Sequence, residues 1–510
     1  MSNDLNRSLT SVAKGAGIIF TGMMAGNVLG MVNQIVLGRF LGPDLYGLFN
    51  LALSVVMIAA TLSVFGFFGS LSRFIPYHMM LGEKNKVRSV IDFSSLFVLF
   101  NGTIFGVLLF IFSDRISIGI FDEPGLVSTL RLFAVGVPIL AMQQVLRGIV
   151  RGFKEARLDA LLFNVGDRVI KIGFFLVLML FIYRLYGAVA SYVAGAAVTG
   201  AASIFFITRR LFPEYRETGK APVAREILSF SWPLALTGFS FLFVTKTDKI
   251  LLGYFLSKHE VGIFSPALVI AGMLIFVASA FKYIFLPTVS EYFSKNDIGA
   301  LERLFKSTSK WIFLVVLPLF LILLIFPREV ITFLYGSEYV GGYMALVILS
   351  AGIAMNDFAG TAGNILVGGG YTRLNLACEI IAAVTNILLA LILIPRFGIN
   401  GAAAATGISY LTRNITSVGF AYMKYGIHPY RMSYLRIVLA GLITTVAVFF
   451  MKMAFPFHWL INMLLLSCVF IAAYLSLIVL FRCLDDDDRV VLVALEKKTG
   501  LSLGFIKRFI

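Results

Sequence analysis

Residues 459–481 read WLINMLLLSCVFIAAYLSLIVLF, an apolar run without a charged side chain. A helix needs about 20 mostly apolar residues to cross the hydrocarbon core of a bilayer, and this run is long enough. Similar runs recur along the chain, in which 59% of the 510 residues are hydrophobic and 14% are charged. Soluble domains contain about 45–50% apolar and about 25% charged residues. Lipid must therefore be the solvent for most of this chain.

Inside a membrane, every backbone N–H and C=O group has to be paired within the protein, which leaves helices or closed barrels. The apolar runs here are continuous rather than alternating, and this favours helices. The sequence predicts an all-α integral membrane protein with about fourteen transmembrane helices. The predicted spans cover 15–37, 48–70, 91–112, 126–147, 160–183, 187–208, 228–247, 261–286, 311–326, 340–367, 374–394, 399–423, 435–454 and 459–481.

The positions of the basic residues predict the orientation. With the N-terminus in the cytoplasm, 29 of the 43 basic residues fall in cytoplasmic segments and only seven in the opposite loops. Cytoplasmic loops of membrane proteins carry such an excess, so both termini are predicted to face the cytoplasm across the cell membrane. The net charge of +16 then reports on topology, and no nucleic-acid partner is expected. The stretch 289–310 is predicted to lie along the cytoplasmic interface as an amphipathic connector.

The chain also repeats itself. Residues 38–52 read GRFLGPDLYGLFNLA and residues 253–267 read GYFLSKHEVGIFSPA, and six residues match without a gap. Weaker matches follow in the same order, which indicates a duplication with both copies in one orientation. The predicted organisation is an N-tail (1–14), an N-lobe of six spans (15–208), a linker (209–227), a C-lobe of six spans (228–423), an appended pair of spans (424–481) and a C-tail (482–510). Transporters with parallel repeats bind substrate between the lobes.

Once the loop residues are set aside, seven basic residues remain in or beside the predicted spans, where charge is costly and indicates function. Arg131, Arg168 and Lys171 are open to a plain alternative, because they can reach the interface or pair locally with Asp167. The candidates for binding an anionic headgroup are Lys246, Lys249, Lys282 and Arg413. Ammonium and guanidinium groups donate charge-assisted hydrogen bonds to phosphoryl oxygens.

Polar residues in the first span extend this candidate site. Asn27, Asn33 and Gln34 fall roughly on one predicted face, where Asn33 and Gln34 either line a cavity or bond to a neighbouring helix. Asp248 lies beside Lys249 and is a candidate for binding a coupling ion, H⁺ or Na⁺, or for orienting the lysines.

Enzyme and metal motifs are not convincing. The run Asp485–Asp488 is more typical of a solvated tail, and the glycines at 368–370 lack the Lys-Ser/Thr of a phosphate-binding loop. Cys378, Cys468 and Cys483 show no paired spacing for disulfides or a metal. No cofactor, metal site or catalytic residue is predicted.

The quoted segment at 38–49 resembles the first-loop signature of polysaccharide-exporter proteins of the O-antigen flippase type, within the multidrug/oligosaccharidyl-lipid/polysaccharide superfamily. TDKILLGYFLSKHEVGIFSPA (247–267), FLYGSEY (333–339) and LIPRFGINGAAAAT (393–406) resemble later parts of the same family. The resemblance runs from about residue 15 to 425. It implies two lobes arranged as a V, appended helices and alternating access.

The implied function is transport of an isoprenoid-pyrophosphate-linked oligosaccharide from the cytoplasmic to the outer leaflet, next to membrane lipids and glycan-assembly enzymes. The related lipid II flippases carry an arginine in the first helix where this chain has Asn33, which argues against lipid II as the cargo. A cation-coupled multidrug exporter of the same superfamily is the main alternative. A membrane glycan polymerase would need an acidic pair in a large outer loop, and no predicted loop is long enough.

Overall fold

The computed structural model describes residues 2–215, 218–358, 360–455 and 458–484, and this part of the chain is helical without a strand. The helices are α1 (Ser2–Val64), α2 (Phe67–Met80), α3 (Lys84–Ile111), α4 (Gly125–Gly152), α5 (residues 156–178), α6 (Arg184–Phe206), α7 (Ala224–Phe255), α8 (Lys258–Ser294), α9 (Ile298–Ile325), α10 (Pro327–Leu334), α11 (Tyr343–Phe358), α12 (Ala362–Gly368), α13 (Thr372–Tyr425), α14 (Ser433–Ala454) and α15 (Trp459–Leu480). The predicted tail from residue 485 onward, with its aspartate run, lies outside the described residues.

The all-α membrane class is confirmed. Ten helices in the described part of the chain are long and apolar enough to cross a membrane. Two of these stretches, Thr21–Met80 and Thr372–Tyr425, have 60 and 54 residues, far more than the about 20 needed for one crossing. Each therefore has the length of two spans.

Glycines explain how two predicted spans join without a loop. Gly42 in α1 has φ 73° and Gly398 in α13 has φ 59°, and the helical axis breaks at each. Only glycine adopts such positive φ values readily. Pro43 directly follows Gly42 and Pro395 lies three residues before Gly398, and each proline lacks a backbone donor. The chain thus turns from one span into the next at the junctions predicted between 37 and 48 and between 394 and 399.

The predicted connector at 289–310 is not a separate helix. Helix α8 continues to Ser294, and after a short turn α9 begins at Ile298 and runs without a break to Ile325. Leu301 and Phe305 are fully buried against protein side chains, among them Ile365. The predicted span began at residue 311, whereas α9 begins at Ile298. The apolar face of these additional turns, which predicted a helix on the membrane surface, packs against the protein.

The chain forms two compact units, Met1–Pro266 and Ala267–Ile510. In the first unit, the segment predicted as a linker (209–227) packs on the corner between α2 and α3. The Ala221 N–H donates a hydrogen bond to Ser89 Oγ (2.7 Å), and Tyr215 and Val223 are buried in the same apolar cluster. This segment is part of the folded unit.

In the second unit, the appended helices α14 and α15 pack on α9. Their shared cluster includes Phe313, Ile437 and Phe470, and Tyr474 donates a hydrogen bond to the carbonyl of Leu314 (3.1 Å). Lys452 Nζ lies 2.7 Å from Glu329 Oε1. The appended helices α14 and α15 therefore belong structurally to the second unit.

Candidate functional site

A small polar cavity in the second unit brings two of the predicted basic residues together. Lys282 of α8 and Arg413 of α13 both line this cavity, which has a volume of about 40 Å³. The other polar lining residues are Asn356, Thr361, Asn364, Asn414 and Ser417. Such a volume holds one or a few water molecules. The two cations therefore border a polar space among membrane-spanning helices.

A carboxylate holds each of these cations. Lys282 Nζ lies 2.9 Å from Asp357 Oδ1, and Asp357 is fully buried. Arg413 Nε lies 3.2 Å from Glu379 Oε1, and both side chains remain about one-third exposed. An ion inside a span is stable only with a partner or with water. Each cation next to the cavity is therefore balanced by a carboxylate.

In the first unit, Lys249 is buried rather than open. Its Nζ donates a hydrogen bond to Asn50 Oδ1 (2.6 Å), and the Asn50 amide in turn donates to the carbonyl of Tyr46 (2.9 Å). Asp248, next to Lys249, is also buried, whereas Lys246 is partly exposed. Lys249 thus connects α7 to the part of α1 that follows the Gly42 break.

Of the polar residues of the first span, Asn27 and Gln34 are seven residues apart and lie on one helix face, whereas Asn33 lies on another. Asn33 is 3% exposed, whereas Asn27 is exposed and Gln34 is partly buried. Gln34 Oε1 accepts a hydrogen bond from the Tyr46 hydroxyl (2.8 Å). Because six residues correspond to a rotation of about 240° along a helix, Asn33 points away from Asn27. In this structure Gln34 bonds to the segment that follows the helix break.

The two copies of the sequence repeat contact each other within the first unit. A Cβ atom added to Gly47 would lie 1.8 Å from the Lys258 carbonyl oxygen, and one added to Gly262 would lie 1.9 Å from the Pro43 carbonyl oxygen. Lys258 Nζ also lies 2.9 Å from Glu123 Oε1. Glycine at both positions lets the two backbones touch, so the repeated residues form a close-packed contact between the copies.

A second charged group, missed by the sequence interpretation, joins α4 and α5. Asp159 is 1% exposed and pairs with Arg147 (2.7 Å) and Arg151 (3.0 Å). The predicted span ended at Arg147 and left Arg151 in the following loop, but α4 continues to Gly152. Their spacing of four residues was the available signal, because it places both on one helix face.

Lys171, a neighbouring charge, pairs locally with Asp167, which was the alternative to a role in function. Lys171 Nζ lies 2.8 Å from Asp167 Oδ2, and both side chains are buried. Gln143 Nε2 donates to Asp167 Oδ1 (2.7 Å). Arg131 instead pairs with Asp114 at a more exposed position near the end of α3.

Comparisons with known proteins agree with this architecture. The family described as polysaccharide biosynthesis protein matches residues 12–293. The probable low-salt glycan biosynthesis flippase Agl15 of Haloferax volcanii is 26% identical over 40% of this chain and 45% of its own length. Stage V sporulation protein B of Bacillus subtilis is 22% identical over 93% of this chain and 96% of its own length.

Two solved structures share the fold. The lipid II flippase MurJ in an inward closed conformation superimposes with a TM-score of 0.73 at 15% identity, covering 93% of this chain and all of that one. An inward-facing multidrug resistance transporter of the MATE family gives a TM-score of 0.64 at 18% identity, covering 81% of this chain and 98% of that one. At these identities the likeness concerns the fold alone.

Proposed function

Because the chain belongs to the family of polysaccharide biosynthesis proteins, we propose that it is a flippase for an isoprenoid-pyrophosphate-linked oligosaccharide. It moves this cargo from the cytoplasmic to the outer leaflet by alternating access, a transport step without bond chemistry. The relative described as a probable glycan biosynthesis flippase supports the choice of cargo. The glycan then serves surface polysaccharide or glycoconjugate synthesis.

The observation that carries this proposal is the cavity bordered by Lys282 and Arg413. These residues come from α8 and α13, so two distant parts of the sequence place cations at one polar space. Guanidinium and ammonium groups replace the water that a pyrophosphate loses on leaving solution. In this conformation Asp357 and Glu379 hold the cations, and cargo binding exchanges these carboxylates for phosphoryl oxygens.

Lys246, Lys249, Asn33 and Gln34 contribute further polar contacts along the route in this proposal. Asp248, beside Lys249, binds the coupling ion, H⁺ or Na⁺, or orients the lysines. An inside-negative potential favours outward movement of an anion by about 2.3 kcal/mol per charge per 100 mV. Protein cations that moved with the headgroup would reduce this driving force.

The orientation follows from the same proposal. Both termini lie in the cytoplasm and the protein resides in the cell membrane, where glycan-assembly enzymes supply its cargo. The loops that lead from an even-numbered span to the next odd-numbered span carry an excess of basic residues. This excess supports the orientation. The two lobes, 15–208 and 228–423, then move against each other while the appended pair, 424–481, moves with the second.

The test is a flipping assay in vesicles that contain purified full-length protein and a fluorescent pyrophosphate-linked glycolipid. The wild-type protein is expected to expose the glycolipid to an impermeant quencher, and Lys282→Ala and Arg413→Ala are expected to slow this at least tenfold. Arg115→Ala, which removes an exposed arginine of the first unit, is the matched control. Wild-type rates in the Lys282 and Arg413 variants, with normal folding, would remove these residues from the site.

The second candidate function is cation-coupled export of organic cations. It is favoured by Asp357, whose Oδ2 is buried and receives no hydrogen bond from the described residues. Drug exporters depend on intramembrane carboxylates to bind cations and protons. Proton- or sodium-driven efflux of organic cations, together with no flipping of any isoprenoid glycolipid, would select this function.

A further inference from the structure

The charged group between α4 and α5 has more cations than carboxylates. Four basic residues, Arg147, Arg151, Arg168 and Lys171, surround only two carboxylates, those of Asp159 and Asp167. Arg147 ends the predicted fourth span and Arg168 and Lys171 lie in the predicted fifth span, where an excess of positive charge is costly and indicates function. An ordinary ion pair consists of one cation and one carboxylate and would not leave cations in excess.

The two carboxylates hold the arginines in fixed positions. Arg147 donates from Nε to Asp159 Oδ1 (2.7 Å) and from Nη2 to Asn164 Oδ1 (2.6 Å). Arg151 donates from Nε to Asp159 Oδ2 (3.1 Å). Their guanidinium groups also lie within 5.8 Å and 5.2 Å of the ring centroids of Phe163 and Phe68. The planes of both groups are therefore set before any ligand binds.

Several donors at this place have no acceptor. Among the described residues, the Nη1 groups of Arg147 and Arg151 make no hydrogen bond, and the two side chains remain 28% and 36% exposed. The Nδ2 group of Asn164 is buried without a partner. Its amide orientation is fixed, because Oδ1 accepts from Arg147. A buried donor left unpaired costs free energy, so the Asn164 amide lacks one acceptor here.

The backbone at this position is also unusual. Residues Asp159–Gly166 form a π-helical segment within α5, and π-helical turns are rare and frequently lie at functional sites. Both Asp159 and Asn164 belong to this segment. Within this segment, Asp159 pairs with both Arg147 and Arg151, and Asn164 accepts a hydrogen bond from Arg147.

Helix α1 bounds the site on one side. A Cβ atom added to Gly26 would lie 2.8 Å from Asn164 Cβ, and one added to Gly30 would lie 3.6 Å from Arg168 Nε. The glycines of α1 therefore allow it to lie directly on α5. Arg168, whose Nη1 is 3.8 Å from Asp167 Oδ2, remains about one-third exposed beside α1.

We propose that Arg147, Arg151 and Asn164 form a binding site for phosphoryl oxygens of a lipid headgroup. The Nη1 groups of Arg147 and Arg151 each donate to a phosphoryl oxygen while Nε and Nη2 stay bonded to Asp159 and Asn164, and the Asn164 amide supplies a third donor. By the predicted topology, this end of α4 is at the cytoplasmic side, where a lipid-linked substrate is made. Resting on the proposed flippase function, the site is where the pyrophosphate of the cargo first binds, before it reaches Lys282 and Arg413.

The experiment measures binding of a short-chain isoprenyl pyrophosphate to the full-length protein in phosphatidylcholine nanodiscs. The variants are Arg147→Gln, Arg151→Gln and their Lys counterparts, and the matched control is Arg115→Gln. We expect affinity to fall about tenfold in each Gln variant, less in each Lys variant because charge is kept without the guanidinium group, and not at all in the control. Equal affinity in wild type and all four variants overturns the proposal.

Two further arms separate the ligand sources and the two proposals. If anionic phosphatidylglycerol in the nanodisc competes with the isoprenyl pyrophosphate, the site takes ordinary phospholipid headgroups as well; if it does not, the site selects the cargo. The flipping assay is run on the same preparations. Normal binding with no flipping by the wild type rejects the flippase function and leaves the site, whereas normal flipping with unchanged binding in the variants rejects the site alone.

Discussion

Asp44 and His259 stand 215 residues apart at equivalent positions of the two repeat copies, and they bond to each other: His259 Nδ1 lies 2.8 Å from Asp44 Oδ1. The glycine contacts follow the same rule, since Gly47 touches the Lys258 carbonyl and Gly262 touches that of Pro43. Gly262 is equivalent to Gly47 and Lys258 is equivalent to Pro43, so each glycine contact repeats the other with the two copies exchanged. The contact is therefore reciprocal between the two repeat copies, and the proposed alternation of the lobes would separate it.

The first prediction concerns this contact. A short thiol-reactive crosslinker between Asp44→Cys and His259→Cys, with Cys378, Cys468 and Cys483 replaced by serine, should reduce flipping at least tenfold because the copies can no longer separate. Cleavage of the crosslink should restore the rate. The control is the double serine variant Asp44→Ser/His259→Ser, which should flip before and after treatment. Undiminished flipping by the crosslinked protein would mean that this contact stays closed throughout transport.

The second prediction concerns the glycines of the same contact. Gly47→Ala and Gly262→Ala should lower the free energy of unfolding by about 1–3 kcal/mol or more, because the added methyl overlaps a backbone oxygen. Thermal unfolding in detergent measures this. Gly173→Ala is the control, since a Cβ there meets no atom within 4 Å. Similar melting temperatures for all three variants would show that the backbones do not approach this closely.

The third prediction tests the buried bond between Lys249 and Asn50. Asn50→Leu should destabilise the protein by about 1–3 kcal/mol, because it leaves the buried side-chain nitrogen of Lys249 without its acceptor. Lys249→Met added to Asn50→Leu should recover part of this loss, since both polar partners are then gone. Thermal unfolding of the single and double variants forms the cycle. Strictly additive effects would show that the two side chains do not interact.

The fourth prediction separates charge pairing from cargo binding at Lys282. Lys282→Met should both slow flipping and lower stability, because Asp357 loses the ammonium group that balances its buried charge. Adding Asp357→Asn should restore the melting temperature but not the flipping rate. Recovery of both properties in the double variant would assign Lys282 a purely structural role.

The helices were largely predictable from the sequence because apolar runs of about 20 residues have few alternatives in lipid. The run 459–481 corresponds to Trp459–Leu480 in the structure. The errors lie where a helix extends beyond its apolar part. Helix α4 continues past residue 147 and carries Arg151, and α9 begins at Ile298, well before its predicted span, and buries Lys310. Hydropathy detects the lipid-facing part of a helix and not its polar ends.

The candidate site was predictable in part. Charge inside a span identified Lys282 and Arg413, which share a cavity. It did not indicate their partners, because contacts between distant spans depend on helix packing that one sequence does not specify. The π-helical turn at Asp159 also left no trace in the periodicity, although it decides which residues of α5 reach Arg147.

The most direct test of the account is the flipping rate of a pyrophosphate-linked glycolipid in vesicles containing the wild-type protein, compared with protein-free vesicles and with Lys282→Ala/Arg413→Ala. The account predicts protein-dependent exposure of the glycolipid that the double variant reduces at least tenfold while remaining folded. Exposure no faster than in protein-free vesicles, for any isoprenoid glycolipid, would contradict it.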